Sequence, residues 1–147
     1  MSREVEELNR RLLRARDAMD RSYAQPLDVA ALARVAQVSE AHFIRSFRAT
    51  FGETPHRYLQ RRRVERAMFL LRESDRSVTD VCLDVGFSSL GTFSRTFREI
   101  VGETPSEYRE RHGPMAAPSC VQMAVTRPRV AALRSSSFGE ARTAARP

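Results

Sequence analysis

Every one of the 25 basic residues in this 147-residue chain is arginine. A guanidinium is a flat fork of donors that grips phosphate oxygens or a guanine edge two at a time. The absence of lysine removes Schiff-base chemistry and a phosphate-loop lysine from consideration. His42, His56 and His112 are scattered, without the spacing of a metal site or of a Cys/His catalytic pair. No glycine-rich phosphate loop, paired catalytic carboxylates or nucleophile elbow is present. No enzyme activity, cofactor or metal is therefore expected. Cys82 and Cys120 are the two cysteines, too few for a disulfide framework or a four-ligand zinc site, and they read as a buried thiol and a tail thiol. Arginine chemistry toward phosphates and bases is what remains.

The arginines most suited to it recur in a repeat. Residues 39–62 aligned on 89–112 match without a gap at 11 of 24 positions, which include Arg45 with Arg95 and Arg48 with Arg98. Upstream, Leu32, Ala33, Ala36 and Val38 pair in pattern with Val81, Cys82, Val85 and Phe87, the register moved by one. Two copies of one supersecondary unit are encoded.

Each unit reads as two short helices and a turn. Asp28 caps a helix carrying Val29, Leu32, Ala33 and Ala36, and Ser39 caps a second with Phe43, Phe47 and Phe51 at spacing four. In the second unit, Ser77 with Asp80 has the form of a capping box, and Ser88 or Ser89 opens a helix with Phe93, Phe97 and Val101. Gly-Glu-Thr-Pro then supplies a stop at Gly52 and Gly102, a cap at Thr54 and Thr104, and proline at the first helical position, so new helices start at 55 and 105. With the inward phenylalanines placed, Ala41, His42, Ile44, Arg45 and Arg48 lie on the other faces of their helix.

The elements around these pairs follow. Val5, Leu8, Leu12 and Met19 mark an amphipathic helix ending before Pro26, and Tyr58, Leu59, Ala67, Met68, Leu70 and Leu71 are the apolar members of one long helix joining the units. The expectation is an all-α fold of about seven helices: two helix-turn-helix subdomains and a long linker helix. Residues 1–113 form the domain, with the first unit at about 5–53, the linker at 55–72 and the second unit at 77–112. From 114 to 147 a Pro/Ala/Ser/Arg composition without period predicts a disordered basic tail, its one apolar patch running from Cys120 to Val125. The domain carries 20 arginines against 17 acids, net +3, and the tail 5 against 1, net +4. No stretch approaches the roughly 20 apolar residues of a membrane helix, and the charged start lacks a signal peptide's apolar run, so no membrane contact and a cytoplasmic location are expected.

The segment Val78 to Arg109, with VGFSSLGTFSRTFREIVGETPSEYR at its core, resembles the signature of the AraC/XylS family. The resemblance covers roughly residues 5–112 and takes the form of a stand-alone DNA-binding region. Gln37 departs from it, standing at a turn position where the family usually has glycine, and Cys82 stands where alanine is usual. A non-glycine at 37 is asked for positive φ. The resemblance implies a transcriptional regulator, an activator that works with RNA polymerase, binding double-stranded DNA as a monomer. Many relatives carry a separate effector-binding domain; none is evident here, and no small-molecule effector is expected. Two tethered readers on one face of a duplex, about 34 Å apart, imply an asymmetric target.

By the same resemblance Ala41, Ile44 and Arg45 stand at base-facing positions, and Leu90, Gly91, Ser94 and Arg95 correspond to them in the second unit. Arg45 and Arg95 suit guanine O6 and N7. Ile44 is either a lone surface apolar or a partner for a thymine methyl. Gly91 weakens its helix by about 1 kcal/mol relative to alanine and brings no side chain to a base, so either close backbone approach is wanted or readout there is poor. Arg48 and Arg98 are phosphate-contact candidates, as are Arg61 and Arg62 in the Arg61-Arg62-Arg63 run; the alternative for the run is an ion-paired helix surface with Glu65. Two other functions fit the same composition: a non-specific nucleic-acid-binding protein, and a protein-interaction adaptor on the same fold.

Overall fold

The computed structural model describes residues 2–114; residues 115–147, with most of the expected tail and its Cys120 to Val125 patch, lie outside the described residues. Among the described residues there are seven helices and no strand: α1 (Arg3–Arg21), α2 (Val29–Ala36), α3 (Glu40–Phe51), α4 (Pro55–Glu73), α5 (Val78–Asp84), α6 (Leu90–Val101) and α7 (Pro105–His112).

The helix starts are written locally. Ser39 and Ser89 hydroxyls each accept the backbone N–H three residues on, from His42 and Thr92, both at 3.2 Å; the cap of α6 is Ser89 and not Ser88. Thr54 and Thr104 cap α4 and α7 in the same way, with Pro55 and Pro105 in the first turn. Ser77 accepts from Asp80 N–H, yet the reciprocal pair of a capping box forms at Thr104 and Glu107 instead, where the longer glutamate reaches back to the Thr104 N–H at 2.9 Å.

Two apolar cores stand side by side, and α4 serves both. The first gathers Leu12, Ala15, Met19, Leu32, Ala33, Ala36, Phe43, Phe47, Tyr58 and Leu59. The second gathers Val64, Ala67, Leu71, Val81, Cys82, Val85, Phe87, Phe93, Phe97 and Tyr108. Val64, fully buried, was absent from the apolar face read for the linker, because it sits behind the Arg61-Arg62-Arg63 run. The aromatic frame repeats closely: Phe43 to Phe47 is 5.6 Å and Phe47 to Tyr58 5.7 Å, against 5.7 Å for Phe93 to Phe97 and 5.6 Å for Phe97 to Tyr108. Burial pushes the Cys82 thiol above its ordinary range, as expected of an inert core thiol.

The correspondence reaches further back than the motif. Val64, Ala67 and Leu71 of α4 occupy, 52 positions later, the places of Leu12, Ala15 and Met19 of α1. Each unit is thus a long helix followed by a helix-turn-helix, and α4 opens the second unit as α1 opens the first.

One polar contact in the first core reads out in pH. Tyr58 donates to Asp20 Oδ1 at 2.7 Å. Burial and then Asp20 push the phenol up from 10.0 to about 12. A proton held more tightly in the folded state stabilises fully below the ordinary value and less as pH rises through the folded one. Urea unfolding is therefore expected to show stability falling between about pH 10 and pH 12, with a shallower fall in Tyr58→Phe over that window; equal slopes for the two proteins count against the linkage.

Candidate nucleic-acid interface

Phe43 and Phe47 anchor α3, and Phe93 and Phe97 anchor α6, all four fully buried. With those sides fixed, the helices turn Arg45, Arg48, Arg95 and Arg98 outward, all exposed. None of the four has a carboxylate within ion-pair distance or a hydrogen-bond partner among the described residues. They are guanidiniums held ready on two rigid helices. Ala41 and Ile44 share the exposed surface of α3, Ile44 with 38% of its area open. On α6, Leu90 is 45% open, Gly91 is exposed and Ser94 half-buried. A Cβ at Gly91 would meet nothing nearer than Ser89 Oγ at 3.7 Å, so no contact within the protein requires glycine there.

The arginine run of α4 is arranged differently. Arg61 reaches Glu53 at 2.7 Å and Glu65 at 2.7 Å. Arg62 reaches Glu65 at 2.6 Å and Asp20 at 3.1 Å. The ion-paired alternative for the run therefore describes how both guanidiniums are engaged in the free protein. The repeat explains one of them: Arg111, the counterpart of Arg61, reaches Glu103, the counterpart of Glu53, at 3.3 Å. Carboxylates at both places in the Gly-Glu-Thr-Pro motif tie down the same arginine twice.

Arg63 turns the other way, into the protein. Its Nε donates to Tyr23 O and its Nη2 to Gln25 O, both at 2.7 Å, and its guanidinium lies 5.8 Å from the centre of the Phe87 ring. Burial lowers its pKa below the ordinary arginine value. The ion-paired alternative for the run does not describe Arg63: among the described residues it has no carboxylate partner, and the carbonyls it holds lie about 40 residues away. Gln37 does take positive φ, at 61°, alone among the described non-glycine residues. Arg11 steadies that turn, donating to Ala36 O and to Gln37 Oε1, each at 3.3 Å.

A family model described as a helix-turn-helix domain matches residues 32–111, more than half of the chain. The chain is also similar to the regulatory protein SoxS of Salmonella typhimurium, 36% identical over 76 residues that cover 52% of this chain and 71% of that protein. The chain belongs to the AraC/XylS family.

Other AraC/XylS-type proteins place it in the same way. The HTH-type transcriptional activator RhaS of Escherichia coli is 38% identical over 72 residues, covering 49% of this chain and 26% of that protein. Among solved structures, the DNA-binding domain of AdpA in complex with a target DNA superposes with a TM-score of 0.64 at 33% identity, covering 68% of this chain and 92% of that one. An AraC-type regulator from Chromobacterium violaceum gives 0.66 at 31% identity, with 76% and 96% covered. The chain spans between 21% and 36% of the length of the first curated relatives it matches. What the chain shares with these proteins is the helix-turn-helix region that spans residues 32–111. No helix among the described residues is long and apolar enough to cross a membrane.

Proposed function

We propose that the chain binds an asymmetric duplex site as a monomer, with α3 and α6 in successive major-groove segments, and that it activates transcription by working with RNA polymerase. Arg45 and Arg95 read guanine, and Ala41, Ile44, Leu90, Gly91 and Ser94 line the base-facing surface. Arg48 and Arg98 hold phosphates. The observation that carries this reading is the duplicated surface: two helices with equivalent aromatic anchors, each presenting two exposed arginines at matching positions that have no ion-pair partner among the described residues. The solved AdpA domain, described as bound to a target DNA, and the name of RhaS as an activator lend support. Arg61 and Arg62 can join the phosphate contacts only by releasing Glu53, Glu65 or Asp20.

In vitro selection from a random duplex library, followed by anisotropy titration at several salt concentrations, tests the reading. An enriched motif with two unlike elements about one helical turn apart is the expected result. Each of Arg48→Ala and Arg98→Ala is expected to reduce the slope of log affinity against log salt by about 1, because one phosphate contact fewer releases about one counterion fewer. Arg61→Ala is expected to leave that slope unchanged. Salt-sensitive binding without a motif would instead mark a non-specific binder, and no binding at all would mark an adaptor.

A further inference from the structure

The geometry points to Arg63 as the positioning residue that sets the distance and angle between the two recognition helices, and hence the spacing of half-elements the protein accepts. The inference rests on the bipartite reading proposed above.

Three segments meet at this side chain. The loop Tyr23 to Gln25 belongs to the first unit and presents two carbonyls to the guanidinium. Arg63 itself rides on α4 where that helix passes from one core to the other, between Leu59 and Val64. The turn Gly86-Phe87 belongs to the second unit: a Cβ at Gly86 would lie 2.8 Å from Ala24 O and 2.9 Å from Arg63 Nε, so turn and loop are in direct backbone contact. Tyr23 packs against both cores.

The correspondence between α1 and α4 shows what is special here. Arg11 and Arg63 are also 52 positions apart, so they are equivalent residues of the two units. Arg11 holds the turn of its own unit, at Ala36 and Gln37. Arg63 lies beside the turn of its own unit and spends its two hydrogen bonds on the other unit. The same helix position serves within a unit in the first copy and between units in the second. Two further ion pairs reach α4 from either side, Arg62 with Asp20 at 3.1 Å and Arg57 with Glu99 at 3.6 Å, both partly solvated and of the kind that contributes little. Two charge-assisted bonds to backbone carbonyls on a half-buried guanidinium are the firmer tie.

Tethered readers gain affinity only when both engage without strain. One base pair of added spacer moves the second element by about 3.4 Å and rotates it by roughly 35°, a mismatch that a fixed joint resists and a loose joint absorbs.

Two measurements test the assignment. In DNA-free protein, spin labels at Ala49→Cys on α3 and Ser106→Cys on α7, both exposed, with Cys120→Ser, report the distance between units by double electron–electron resonance. Arg63→Met is expected to widen the distribution about twofold, and Arg63→Lys, which keeps one bond, to fall between. On duplexes carrying the selected site with spacers of one base pair more or fewer, the parent protein is expected to lose about tenfold or more, and Arg63→Met less than about threefold. Binding of each half-element alone is expected to stay within about twofold, which controls for folding. If Arg63→Met does not fold, Arg63→Lys alone carries both comparisons. An unchanged distance distribution with spacer selectivity intact overturns the role of Arg63 and leaves the bipartite reading standing. A widened distribution in a protein that shows no two-element preference even with Arg63 present overturns the bipartite reading, and with it the role in recognition.

Discussion

The Arg45→Ala/Arg95→Ala protein is expected to lose about 2 to 6 kcal/mol of affinity for the selected site, roughly 30-fold to 10⁴-fold, while keeping its fold. Each good bidentate contact to guanine is worth about 1 to 3 kcal/mol of discrimination, and the two sites lie on different helices with no shared partner, so the losses add. The change is clean on the protein side. Neither guanidinium holds a carboxylate or a carbonyl among the described residues, and alanine is the better helix former at an exposed position. Thermal unfolding should therefore match that of the parent protein. The decisive comparison is anisotropy titration on the selected duplex against a scrambled one at the same salt. A loss confined to the selected duplex marks base reading. An equal loss on both reassigns these arginines to phosphates, and no loss on either removes them from the interface.

How much of this was legible in the sequence depends on the distance over which each contact acts. Helix starts at Ser39, Ser89, Thr54 and Thr104, and stops at Gly52 and Gly102, involve bonds within four residues, and the local motif states them. The phenylalanine spacing fixes which faces of α3 and α6 turn inward, hence which arginines turn outward. The Arg61-Arg62-Arg63 run was legible only in part: the pairing of Arg61 and Arg62 with Glu65 acts within four residues, but the distant partners leave no such mark. Arg62 answers to Asp20, 42 residues away, and Arg63 to carbonyls 38 and 40 away, and backbone carbonyls leave no trace in side-chain pattern. The equivalence of α1 and α4 is hidden for another reason. Only an alanine is identical among the three buried pairs, because a core asks for volume and apolarity, which several residues satisfy.

The turn residues Gln37 and Gly86, equivalent positions in the two units, are expected to respond unequally to substitution. Gly86 takes φ 103° and Gln37 61°. At Gly86 a side chain has nowhere to go: its Cβ would enter the Ala24 backbone at 2.8 to 2.9 Å, and backbone does not swing aside as a long side chain does. Gly86→Ala is therefore expected to cost about 2 to 4 kcal/mol, combining the strain of positive φ with a forced shift of the joint between units. At Gln37 the side chain is exposed and reaches Arg11, so the position tolerates glutamine at the cost of a left-handed backbone, about 1 kcal/mol. Gln37→Gly relieves that strain and gives up one exposed hydrogen bond, for a net change within about 1 kcal/mol. Urea unfolding of the two single variants measures both. Equal and small effects would mean that the 86 turn yields without disturbing Ala24. A large loss at 86 alone would show that one turn of the repeat was released for an ordinary side chain while the other was kept for glycine, because only the second is pressed against its neighbour.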